Sequence, residues 1–84
     1  MPTVLRSGPY RVYFFSHDTT EPPHVHVDRG DFSAKFWLEP IDLERNTGFR
    51  PQELRKIQAL LTENRKELVE KWHGYFSAGS RRKS

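Results

Sequence analysis

The sequence predicts an α+β fold: a small antiparallel sheet of three to four strands, followed by one long or two short C-terminal helices packed on one of its faces. Three observations carry this. In the first half of the chain, β-branched and aromatic residues alternate with polar ones, the period of a half-buried strand. From Pro51 onward, apolar residues recur instead at the three- and four-residue spacing of a helix with one buried stripe. Finally, 84 residues leave room for one core and no second domain, since a chain near this size buries only about 60% of its unfolded surface.

The elements follow in order. Val4 to Arg6 and Tyr10 to Ser16 read as two strands of a hairpin, separated by Ser7, Gly8 and Pro9. His17 to Pro23 is polar, carries a double proline and reads as a loop. Val25 and Val27, then Phe32, Ala34, Phe36 and Leu38, alternate with polar positions, which gives two more strands around the turn Asp28-Arg29-Gly30-Asp31. Pro40 ends the last of them, and Ile41 to Arg50, with Asn46 and Gly48, is read as a connection.

Helix begins at Pro51, which suits the first helical position, and Glu53 suits the third; Phe49 is placed for a hydrophobic staple, although Arg50 is a poor N-cap. Leu54, Ile57, Leu61, Leu68, Trp72 and Tyr75 or Phe76 then recur at helical spacing up to Gly79. A single long helix is the preferred reading, with Asn64 and Glu67 as the cap of a second helix the alternative. One helix of that length would run nearly 40 Å, at about 1.5 Å per residue, and overhang the sheet. Residues 1–78 are therefore expected to form the domain, with 79–84 a flexible basic tail.

Charge and composition bound the function. The net charge is +3, yet Arg81, Arg82 and Lys83 lie behind Ser77, Gly79 and Ser80 at the end of the chain; without them, eleven basic side chains face eleven acidic ones. Composition alone thus gives the body no broad phosphate-neutralising surface. The tail reads as a solvated extension, or as a contact for nucleic acid or a partner. With no cysteine the chain has neither disulfides nor thiolate metal ligands, which favours a reducing compartment. Met1 to Arg6 lack a signal-peptide pattern, and no apolar run approaches the roughly 18 residues of a membrane span. The expected setting is cytoplasmic, without membrane contact, and no cofactor is expected.

The sharpest inference comes from strand register. With Arg29 and Gly30 as a two-residue hairpin loop, Val27 opposes Phe32 and Val25 opposes Ala34, so every apolar pair falls on one face. The other face then pairs His26 with Ser33 and His24 with Lys35, and brings Pro22 near Trp37, at about 5 Å between opposed Cβ atoms. Three readings of this face stay open. It is an ordinary solvated sheet face; or it performs acid–base chemistry on a phosphodiester, with the histidines exchanging protons, Lys35 stabilising the charge at phosphorus, and Trp37 stacking on a base. The third is a metal site on His-x-His, which needs a further ligand from Asp28, His17 or Glu39 and suffers the repulsion of Lys35. No Ser-His-Asp order, glycine-rich phosphate loop or paired-carboxylate motif is visible. His73 reads as a favourable charge near a helix C-terminus.

Several stretches together resemble a known family. They are Met1-Pro2-Thr3-Val4-Leu5-Arg6, Glu21-Pro22-Pro23-His24-Val25-His26-Val27, Lys35-Phe36-Trp37-Leu38-Glu39-Pro40, Gly48-Phe49, Glu53-Leu54 and Trp72 with Tyr75-Phe76. On these the chain resembles the short bacterial family catalogued as domain of unknown function 4160, over nearly its whole length. The resemblance implies a gene that neighbours a second small family, sometimes linked to helix-turn-helix domains, in what looks like a toxin–antitoxin pair with the present type as toxin. The family's paired histidines, lysine and tryptophan match His24, His26, Lys35 and Trp37. His17 and Arg50 depart from it, standing where asparagine-like residues are more usual, and this weakens any role for His17 as a ligand.

The resulting expectation is a toxin-like subunit that binds an antitoxin-like protein encoded nearby and acts on RNA as a ribonuclease. His24 and His26 are its acid–base candidates, Lys35 its phosphate contact, Trp37 its stacking platform and Ser33 a further substrate-binding residue. The alternative is a non-enzymatic interaction or regulatory module that docks through Trp72, Tyr75 and Phe76 on an overhanging helix, those aromatics being equally readable as core.

Overall fold

The computed structural model describes residues 3–14 and 21–81, with side chains described for 4–14 and 21–74. Five strands, β1 (Thr3–Ser7), β2 (Tyr10–Tyr13), β3 (His24–Arg29), β4 (Phe32–Leu38) and β5 (Ile41–Thr47), precede two helices, α1 (Pro51–Glu63) and α2 (Arg65–Arg81). The strands form one antiparallel meander in chain order. The sheet therefore has five strands rather than three or four, and Ile41 to Thr47 is a strand, not part of a connection. Its pattern hid it: β5 is a polar edge strand, exposed at nearly every position, whose order comes from backbone pairing with β4 rather than from a buried face. A bulge at Glu44 and the charges of Asp42, Glu44 and Arg45 also fit an edge guarded against further pairing.

Turn chemistry sets the register. The β3–β4 loop is Gly30-Asp31, not Arg29-Gly30, with Arg29 opposite Phe32. Gly30 has φ 59° and no described non-glycine residue has positive φ, the pattern of a type II′ turn with glycine first. Gly8-Pro9 repeats it between β1 and β2, with φ 56° at Gly8. Each partner on β4 consequently lies two residues further along than expected. A shift of two preserves the faces, so Val25 and Val27 still share theirs with Ala34 and Phe36.

That face, with Val12, Phe14 and Leu38, packs on Phe49, Ile57, Leu61, Leu68 and Trp72 to form the core. Phe32, expected to be buried there, is 36% exposed because its ring sits at the turn end of the sheet against Phe49. α1 starts at Pro51 behind Arg50, which makes no side-chain cap. Tertiary contacts take over: the Tyr10 hydroxyl donates to Glu53 at 2.9 Å, and Arg29 donates to the same carboxylate. The Arg29 hydrogen bond is the main cause holding the Glu53 carboxyl below its usual range.

The preferred single helix is in fact two, broken at Asn64. Asn64 closes α1 through its backbone and side-chain N–H groups, both donating to the Leu60 carbonyl, and its own carbonyl accepts the first hydrogen bond of α2 from Leu68. Arg65 then donates to the Leu38 carbonyl, tying α2 to the end of β4. α2 continues past the expected boundary at residue 78 to Arg81. Among the described residues no helix is long and apolar enough to cross a membrane.

Candidate functional site

On the face turned away from the core, the register builds two continuous rows across four strands. Arg11, Asp28, Ser33 and Thr47 form one; Tyr13, His26, Lys35 and Arg45 form the other. A third, shorter row joins His24, Trp37 and Asp42. The expected pairs are thus replaced: His26 faces Lys35, not Ser33; His24 faces Trp37, not Lys35; and Ser33 faces Asp28. Tyr13, His26, Ser33, Lys35, Arg45 and Thr47 line a shallow depression of about 160 Å³.

The two histidines have different environments. The His26 ring stacks on Tyr13 at 5.4 Å and 23°, and the Arg11 guanidinium lies over the Tyr13 ring, 4.7 Å from its centre. His26 stays partly accessible at the wall of the depression. His24, by contrast, is fully buried. Its ring centroid is 4.9 Å from Trp72, 5.3 Å from His26 and 5.6 Å from Trp37. Its Nδ1 lies 2.9 Å from the Pro22 carbonyl, an acceptor only, so Nδ1 carries the hydrogen, and Nε2 points to Glu21 at 3.7 Å. His24 therefore does not sit on a solvated surface; its ring is packed among Trp72, His26 and Trp37 at the start of β3.

Tyr13 is 6% exposed, and its hydroxyl shares a hydrogen between the two Asp28 oxygens at 3.1 and 3.2 Å. Burial first, and then the negative charge of Asp28, push the phenol up to about 12. It is a neutral hydrogen-bonding group at physiological pH. Lys35 is also largely buried; its Nζ pairs with Glu21 at 2.7 Å and lies 4.9 Å from the Trp37 ring centre. The Trp37 platform is thus partly taken by an ammonium, which leaves base stacking less room than a bare indole would offer.

Trp72 is 5% exposed, edge-on to Phe14 at 5.2 Å. It occupies the core, and an exposed docking role does not describe it; the Tyr75 and Phe76 side chains lie outside the described residues. His73 falls mid-way along α2 instead of in its last turn, too far for the helix dipole to matter. Among the described residues no group of three or more histidines and carboxylates is arranged to hold a metal ion, and His17 lies outside them.

Sequence reasoning missed Arg45 and Thr47 because β5 carries no apolar signal, Tyr13 because pairing between β2 and β3 is not visible in either strand alone, and Glu21 because it precedes β3 and lies outside the ladder; Asp28 entered as a possible metal ligand and not as the partner of Tyr13. An open hollow along α1, lined by Arg55, Gln58, Ala59, Thr62 and Glu63, is the solvent side of a single helix.

Residues 10–73, most of the chain, match the family described as Domain of unknown function (DUF4160). No curated protein and no solved structure matches the chain.

Proposed function

This chain belongs to the DUF4160 family, whose description names no activity, and we propose from the site that its polar sheet face binds the backbone of single-stranded RNA, and from the family resemblance that it does so as the toxin-like member of a toxin–antitoxin pair. The observation that carries the reading is the row Tyr13, His26, Lys35 and Arg45, which sets two cations and an imidazole along one side of a depression. Lys35 and Arg45 supply charge-assisted hydrogen bonds to non-bridging phosphate oxygens. Ser33 and Thr47 add hydroxyls beside them. His26 is the acid–base candidate: it would take the proton of a 2′-hydroxyl as that oxygen attacks the adjacent phosphorus to close a 2′,3′-cyclic phosphate, the P–O5′ bond breaks and the leaving 5′-oxygen takes up a proton from water, while Lys35 and Arg45 stabilise the charge that develops at phosphorus.

The burial of His24 favours a second reading, in which the same face binds RNA without cleaving it. Acid–base cleavage uses one group to remove a proton and another to return one to the leaving oxygen, and a sealed His24 supplies neither. Both readings are tested together by expressing the chain alone and alongside its neighbouring gene, and by following RNA cleavage and binding with purified protein. The ribonuclease reading expects growth arrest relieved by the neighbour, and cleavage lowered about 10²- to 10⁴-fold in a folded His26→Ala variant. Binding weakened in Lys35→Ala and in Arg45→Ala with no cleavage by the parent supports the binding module. A parent protein with no affinity for RNA overturns both.

A further inference from the structure

Lys35 poses a problem that points to a second role for the segment before β3. Its side chain is 11% exposed, in the middle of β4 with ladders on both sides, and an ammonium so placed needs a negative partner. Among the described residues Glu21 is the one carboxylate within salt-bridge reach, at 2.7 Å. The same oxygen, Oε1, lies 3.7 Å from His24 Nε2. A single anionic oxygen is thus held between a buried cation and an imidazole, immediately beside the depression that contains His26 and Arg45. Glu21 differs from its partner in placement: it stands outside the strand ladder, and its side chain is 43% exposed.

We propose that Glu21 is a built-in competitor for the phosphate, a carboxylate that occupies Lys35 until an RNA phosphate displaces it. This rests on the reading of the polar face as an RNA site. The exchange replaces one anion on Lys35 by another, so the buried ammonium is never left unpaired, and the released carboxylate moves from a half-exposed position into water. A lone weak anion gains little from the exchange, because it must displace a partner already in contact. A polyanion that reaches Arg45 in the same event gains a second contact that Glu21 does not make. Glu21 would therefore lower affinity for every anion while selecting for ligands that present more than one phosphate.

The probe is a fluorescently labelled short oligouridylate, followed by anisotropy at fixed low salt. Glu21→Gln should bind it about tenfold more tightly than the parent, a coupling in the usual range for two linked ligands. Glu21→Asp, which keeps the charge on a shorter arm, should fall between them and serves if the glutamine variant unfolds when Lys35 loses its counter-charge. Lys35→Ala should bind more weakly, and in that background Glu21→Gln should have no effect. Affinity in a folded Glu21→Gln that is equal to or below the parent's overturns the role of Glu21, and if Lys35→Ala still weakens binding the RNA site itself survives. If neither parent nor Glu21→Gln binds, both ideas fall.

Discussion

The two imidazoles of His24-Val25-His26 share one side of a strand, yet they answer to different physics. His24 is fully buried between two indoles and bonded to the Pro22 carbonyl. Removing it leaves a cavity and an unsatisfied carbonyl, so His24→Ala should cost about 2–4 kcal/mol of stability. His26→Ala should cost well under half of that while removing the acid–base candidate. Denaturant midpoints of the two variants check this, and a His24→Ala within about 0.5 kcal/mol of the parent would show that the site is not closed. Tyr13 adds a pH dependence. Its phenol is raised from the ordinary value near 10 to about 12, so between those values the unfolded chain releases a proton that the folded chain keeps. The contribution of Tyr13 is fully present below pH 10 and is lost as pH rises toward 12. Thermal midpoints should drop across that window, and Tyr13→Phe should drop less steeply; parallel profiles would contradict the Tyr13–Asp28 account.

At the scale of elements, two joints decide whether the site is presented at all. The first is the corner from β5 to α1. Gly48 has φ 103°, and a Cβ added there would run into the Phe32 ring, while the Asn46 side chain both donates to and accepts from the backbone of Phe49. Gly48→Ala should therefore destabilise the protein by about 1–3 kcal/mol. In a Phe32→Ala background, which removes the clash but not the backbone strain, the same substitution should cost less than in the parent but more than nothing. The second joint is α2 against the sheet, where Trp72 fills the space between Phe14 and His24. Trp72→Ala should cost about 3–5 kcal/mol, the range for emptying a large aromatic site. A folded, fully stable Trp72→Ala variant with altered partner binding would return this residue to the docking role first read from the sequence.

For the whole molecule, charge placement matters more than net charge. Outside the last residues the chain is balanced, but the row containing Lys35 and Arg45 concentrates positive charge at the depression. Two phosphate contacts predict a modest salt dependence of RNA binding, with log affinity falling about 1.4 units per tenfold rise in salt, and about half that slope in Lys35→Ala or Arg45→Ala. Slopes unchanged by either substitution would place the binding surface elsewhere, with the basic C-terminal residues as the next candidate.

By itself the sequence determined the α+β class, the four apolar strands, the core stripe of the helical half and the face of each residue in β3 and β4. These rest on periodicity, which is local, and a register error of two residues leaves every face unchanged. It also held the family resemblance, because the motifs that carry it are continuous runs. Only the tertiary structure decided the rest. β5 exists because β4 offers it a partner, not because of any apolar alternation of its own. The turn at Gly30-Asp31 depends on which position of a two-residue loop takes positive φ, a choice that Asp-Arg-Gly-Asp does not spell out. Alternation assigns a side chain to a face but says nothing of what covers that face. Trp72 from α2 and Glu21 from the segment before β3 approach His24 and Lys35 from far or off-strand positions, and their arrival turns two expected surface groups into a buried anchor and a buried ammonium with a half-exposed partner.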